Sequence, residues 1–153
     1  MRHRIITSRT EIVDIIKRCQ VCHVAMVDPE GKPYLIPMNF GFKEEVIYLH
    51  SAQKGKKIDI LKYHPEVCIN FTTDHVLRYQ NEQTACSWGM KYRSVLCFGK
   101  VEFISEEIEK SLALDVLMSQ YTDREFTYNP PSIREVNCWK VKVEKFEARI
   151  YGY

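Results

Sequence analysis

His50, Ser51, Lys54, Lys56 and Lys57 crowd into one stretch, KPYLIPMNFGFKEEVIYLHSAQKGKKIDIL, which reads as two strands followed by a basic helix start. Val46, Tyr48 and His50 alternate with Ile47, Leu49 and Ser51 in the two-residue period of a strand. From Gln53 to His64 the apolar positions Ile58, Ile60, Leu61 and Tyr63 take helical spacing, and Pro65 closes the segment. The junction between the two is where chemistry is expected. A helix N-terminus presents unpaired N–H groups and the positive end of its dipole, to which Ser51 adds a hydroxyl and the lysines add ammonium donors. That combination suits a phosphate monoester. A basic run or a strand-end histidine alone reads more simply as a solvated face or a half-buried side chain; their adjacency is what points to a ligand.

Other reactive-looking residues carry less. Cys19-Gln20-Val21-Cys22-His23 matches the C-x-x-C-H haem-attachment pattern, and its C-x-x-C half also occurs in thiol redox and zinc sites. Such haem attachment follows export, which the N-terminal run MRHRIITSRTEI does not support, and no second ligand pair of comparable spacing exists for zinc. Cys22 is in phase with Val24 and Met26 on one strand face, so a core position is expected and no metal site is assigned. Tyr34, Phe40, Phe42 and Tyr48 occupy alternate strand positions, where aromatics serve core or cross-strand packing, and Trp139 is expected to be buried. No residue is assigned as acid, base or nucleophile.

The 153 residues, 45% hydrophobic, suffice for one domain with a core and are few for two. Twenty-two Lys and Arg against 20 Asp and Glu leave a net charge of +2, concentrated at residues 54–57, which argues against nucleic acid as a partner. No run approaches the roughly 18–20 apolar residues of a membrane span, so a cytoplasmic protein is expected. The six cysteines, with Cys68, Cys97 and Cys138 inside apolar runs, read as small buried hydrophobes without structural disulfides.

The elements that must position the junction follow one another without repeat or linker. Ser8 and Glu11 have capping-box spacing ahead of a first helix bearing Ile12, Val13, Ile15, Ile16 and Cys19. Residues 21–27 and 33–42 read as a hairpin around Asp28-Pro29-Glu30-Gly31. Further strands are expected at Val46–His50, Glu66–Thr72, Tyr92–Ile104 and through VNCWKVKVEKFEARI. A helix follows Ser105, Asn129-Pro130-Pro131 breaks the chain, and residues 73–90 form a long loop suited to a lid or a dimer contact. Six strands and two or three helices predict a mainly β protein, an antiparallel barrel with peripheral helices in a single domain spanning 1–153.

The order helix, hairpin, P-Y-x-x-P-x-x-F-x-F, I-Y-x-H-S-A and G-K-K helix resembles the pyridoxamine 5′-phosphate oxidase-like FMN-binding split barrels. Within them it is most similar to the nitroimidazole-resistance (Nim-type) branch, from the first helix to about Phe103. The resemblance implies an FMN phosphate held by His50, Ser51, Ala52, Lys56 and Lys57, and an isoalloxazine ring lined by Ile36, Pro37, Met38 and Asn39. It implies a homodimer with two cofactors at the interface, Lys91-Tyr92-Arg93-Ser94 contributing from the partner, with Ser94 against the ring. It also implies a flavin-dependent oxidoreductase acting on a small nitroaromatic or similar electrophile. The chain ends EARIYGY, without the basic signature that grips substrate phosphate in the oxidase proper, which points away from pyridoxamine phosphate oxidation. A flavin or haem module without turnover, and a deazaflavin in place of FMN, remain the alternatives.

Overall fold

The computed structural model of the chain describes residues 3–153; Met1 and Arg2, which open the N-terminal run, lie outside them. The elements are β1 (His3–Ile6), α1 (Arg9–Arg18), β2 (Cys22–Val27), β3 (Pro33–Met38), β4 (Gly41–Lys43), β5 (Val46–Ser51), α2 (Lys56–Tyr63), β6 (Glu66–Arg78), β7 (Gly89–Ile104), α3 (Glu107–Ser119), α4 (Pro130–Glu135) and β8 (Asn137–Tyr151). Every strand pairing is antiparallel, in the order β3-β2-β6-β7-β8-β5-β4, with β1 added against the far end of β8.

Strand alternation turns Val24, Met26, Ile47, Leu49, Ile69, Phe71, Val95, Cys97, Trp139 and Val141 to one side, where they share a single buried cluster. The sheet has therefore curled around its own apolar face, and the expected antiparallel barrel with peripheral helices is what forms. Helix α1 closes it with Ile12, Ile15 and Ile16, each buried isoleucine contributing about 1.5–3 kcal/mol of transfer free energy. Ser8 caps α1 by accepting from the Glu11 N–H at 3.5 Å, but the Glu11 carboxylate pairs with Arg4 at 2.6 Å instead of reaching back. Half of the expected capping box is thus realised.

The expected continuous strand over 33–42 is split at Asn39 and Phe40. Phe40 is fully buried, its ring edge-on to Phe71 at 4.8 Å, and its N–H leaves the ladder to donate to the Tyr121 hydroxyl at 3.0 Å. Tyr121 in turn donates to the Gln20 carbonyl at 2.8 Å. Helix α3 then lies so close on β4 that a Cβ at Gly41 would stand 2.5 Å from the Leu117 backbone nitrogen. A second small core, of Ile104, Ala113 and Cys138 with Tyr48, Leu114 and Val136, fills the space between α3 and the outer face of β5, β7 and β8.

Three further differences have local causes. Strands β6 and β7 run on past a bulge at Thr73/Val76 through Val76↔Lys91, Leu77↔Met90 and Arg78↔Gly89, so the expected loop over 73–90 is shortened to residues 79–88 at the tip of a hairpin arm. Asp74 enables the bulge with φ 57°, its carboxylate held by Arg18 at 2.5 Å and Arg93 at 2.6 Å. The tip is set by a stacked Tyr79–Trp88 pair, centroids 4.2 Å apart. Asn129-Pro130-Pro131 starts α4 rather than merely breaking the chain: the Asn129 side chain accepts from the Ser132 N–H at 2.9 Å, and proline suits a helix's first turn. Strand β1 shows only one buried residue, Ile6, and so left no periodic trace.

All six cysteines are free thiols; Cys97 and Cys138 are buried, and Cys68 is half-buried on the barrel's outer face. Among the described residues no helix is long and apolar enough to cross a membrane.

Candidate functional site

The junction forms, with a corrected boundary. Helix α2 begins at Lys56, three residues later than the spacing of apolar positions predicts, because residues 52–55 bend and Gly55 takes φ 133° as N-cap. That backbone angle is open to glycine and strained for any side chain. Gly55 offers no side-chain cap. The N–H groups of Ile58 and Asp59 both return to the Gly55 carbonyl, at 2.9 and 3.2 Å, which leaves those of Lys56 and Lys57 without a backbone acceptor. Ser51 does not supply one either, since its hydroxyl donates to the neighbouring Ala52 carbonyl at 2.9 Å.

His50 is the penultimate residue of β5, on its outer face and half-buried, with Nδ1 shielded from solvent and lacking any hydrogen-bond partner. Burial, and after it the Lys57 ammonium, holds the His50 imidazolium below the usual histidine range. The ring is thus neutral at pH 7 and keeps one unused polar position at the mouth of the helix. Ala52, Gln53, Lys54, Gly55 and Lys56 are exposed around it, and Lys57 is half-buried. Free N–H groups at a dipole's positive end, two ammonium groups and an orphaned imidazole nitrogen form a donor set that fits a dianionic phosphate.

The strand expected to line a ring is tied to this anchor. The Lys56 Nζ stands 4.6 Å from the centroid of Tyr34 on β3. Alternation divides the segment that follows: Ile36 and Met38 face inward and pack on the barrel core, whereas Pro37 is exposed on the outer face and Asn39 is exposed at the split. The four residues therefore do not present one wall, and Pro37 and Asn39 are the two with free surface.

Ser94 is not brought to the junction. It pairs with Arg149, whereas His50 pairs with Cys138, so the two sit near opposite ends of β8. Ser94 faces outward with Tyr92, Leu96 and Phe98, the even-numbered positions of β7. Tyr34 and the Gly55 bend are parts of the site that the spacing of basic residues did not single out; the glycine between Lys54 and Lys56 was the available signal.

The C-x-x-C-H motif is structural. Cys19 donates to the Ile15 carbonyl at 3.3 Å and Cys22 to Met38 at 3.5 Å, and burial pushes their thiols up to about 11 and about 12. Neither is a thiolate at neutral pH. Among the described residues no three His, Cys, Asp or Glu side chains gather as a metal-holding group.

An antiparallel barrel with peripheral helices and a basic strand-to-helix junction on its surface defines the fold class. Within it, residues 8–150 match the pyridoxamine 5′-phosphate oxidase family, and the chain belongs to that family. It is similar to a candidate 5-nitroimidazole antibiotic resistance protein from Bacteroides thetaiotaomicron VPI-5482, with 40% identity, 97% of this chain and 87% of that one covered, and a TM-score of 0.88. The fold is shared with the flavocytochrome Anf3 of Azotobacter vinelandii at 18% identity and TM-score 0.82, covering 99% of this chain and 70% of that one. It is shared also with an FAD and haem binding protein of Mycobacterium smegmatis at 18% identity and TM-score 0.83, covering 100% and 75%. No curated protein matches.

Proposed function

We propose that the chain binds FMN through the β5–α2 junction and works as a homodimeric, cytoplasmic flavin-dependent oxidoreductase that reduces a small electrophile such as a nitroaromatic compound. The observation that carries this reading is the unused donor set at the junction: the Lys56 and Lys57 N–H groups and ammoniums beside the orphaned His50 Nδ1. Ser51 and Ala52 shape the turn, Pro37 and Asn39 border the ring, and Ile36 and Met38 support that strand from the core side. The 40% identity to the candidate nitroimidazole-resistance protein supports the substrate class. Bound FMN supplies the electron transfer; the chain's own groups bind and orient it.

The dimer has a physical cause in this reading. Leu35, Ala25, Cys68 and Phe98 form one cross-strand row on the outer face of β3, β2, β6 and β7, with Leu96 beside it. The same face of β7 continues through Tyr92 to Met90, which pairs with the exposed Leu77 on the arm. An apolar stripe of that extent favours a second copy, and Ser94 lies on the same face, between Tyr92 and Leu96.

The purified protein's visible spectrum, taken before and after adding FMN, tests the reading, with mass spectrometry of whatever acid releases. Expected are a flavin spectrum, bleaching by NADH or NADPH, and reoxidation by a nitro compound. A colourless protein that leaves the FMN spectrum unchanged overturns it, and a Soret band would favour a haem-binding module instead.

A further inference from the structure

We infer that Gln53, held by α4, is a positioning residue for the phosphate anchor, and that the buried Lys110 sets α4 for it; this rests on the FMN reading above. Gln53 lies in the bend between β5 and α2 and could move freely there, yet its Nε2 donates across the sequence to the Arg134 carbonyl at 2.5 Å. Arg134 belongs to α4, a helix too short to hold its place unaided. Two residues one turn apart on α3 hold it. Glu107 takes the Arg134 guanidinium at 2.8 Å, and Lys110 donates to the carbonyls of Ile133 at 3.3 Å and Val136 at 2.9 Å.

Lys110 is only 9% exposed, and Glu, Asp and C-terminal groups form no ion pair with it among the described residues. Burying a lysine without a counter-ion is costly, and the two bonds to main-chain carbonyls are what offset it, so those carbonyls are held in place. What it enforces is the position of the Arg134 carbonyl. Immediately after α4, Asn137 and Cys138 pair with Ser51 and His50, so α4 and β8 brace both sides of the bend. Gln53 thereby fixes where residues 52–55 leave the strand and where the free N–H groups of α2 point.

The test is the affinity of wild type, Gln53→Ala and Lys110→Met for FMN and for riboflavin, which lacks the phosphate, by flavin fluorescence quenching. Loss of one positioning hydrogen bond should weaken FMN about three- to tenfold and leave riboflavin within about twofold. A general loss of structure would weaken both ligands together. An unchanged FMN-to-riboflavin ratio in Gln53→Ala overturns the inference while the anchor stands. A wild type that does not distinguish the two ligands overturns the anchor and this inference with it. Should Lys110→Met not fold, Gln53→Ala decides alone, since Gln53 is exposed.

Discussion

The ammonium of Lys56 lies 4.6 Å from the centre of the Tyr34 ring, so the first residue of α2 and the second residue of β3 are in direct contact. A cation over an aromatic face contributes about 0.5–1 kcal/mol at an exposed site. The contact matters more for placement than for energy. It sets the anchor against the strand that runs on to Pro37 and Asn39, which is the geometry a ligand with a phosphate at one end and a flat ring at the other requires.

Removing both ammoniums should therefore cost phosphate recognition and spare the fold. Lys56→Ala with Lys57→Ala is expected to weaken FMN at least about tenfold, each charge-assisted bond being worth roughly 1.5–3 kcal/mol, with riboflavin affinity little changed. Titration with both ligands checks this, and equal losses for the two would contradict it.

His50 predicts a proton uptake. Its imidazolium is disfavoured in the free protein by burial and by Lys57, and an arriving phosphate dianion would favour it. The group's pKa is thus low when free and rises on binding, so between those two values each bound FMN should take up protons, and above both none. Calorimetry in two buffers of different ionisation heat reads this directly. His50→Gln should abolish the difference between buffers.

Gly55 has room for a methyl group but not the backbone angle. Nothing lies within 4 Å of a Cβ built there, yet φ is 133°. Gly55→Ala should lower stability by about 1–3 kcal/mol and displace the start of α2, so FMN binding falls as well. A thermal melt and a titration together distinguish this from a purely local effect.

On the hairpin arm, Met90→Glu with Leu77→Glu places charge on the outward apolar stripe, where the wild-type side chains are 42% and 58% exposed. Neither packs in the barrel core. Dimer dissociation without loss of melting cooperativity is expected from sedimentation velocity, and an unchanged dimer would remove the arm from the interface.

Asp74 gives the arm an acid-sensitive hinge. Burial alone raises its carboxyl, but the hydrogen bonds and charges of Arg93 and Arg18 outweigh that and hold it below the usual carboxylate range. The stabilisation is present above the unfolded value and is lost as pH falls through the folded one. Asp74→Asn should remove that acid dependence, and faster amide exchange at residues 75–90 would locate it to the arm.

How much of this was legible in the sequence depends on the range of the forces involved. Strands β2, β5 and β8 and the cores of β6 and β7 follow from alternation, because one face meets the core and the other does not. The split at Phe40 was invisible, since a buried ring and a hydroxyl 81 residues away decide it. Strand β1 lacks a period to detect. Lys56, Lys57 and His50 were legible as neighbours; that Ser51 turns to Ala52, and that Ile36 and Met38 face away from Pro37, depends on backbone directions that residue types do not encode. The Gln53–Arg134 contact joins residues with no shared pattern at all.

The position of β8 has a consequence for biosynthesis. It is the last of these elements to leave the ribosome, yet it separates β7 from β5 and pairs with β1 as well. A nascent chain lacking it would hold two unjoined halves, with His50 and Ser51 on an open edge and no β8 to seat α4 beside Gln53. Assembly of the junction must then wait until β8 has been made, and premature termination anywhere before Asn137 should yield an aggregation-prone product, not a folded barrel.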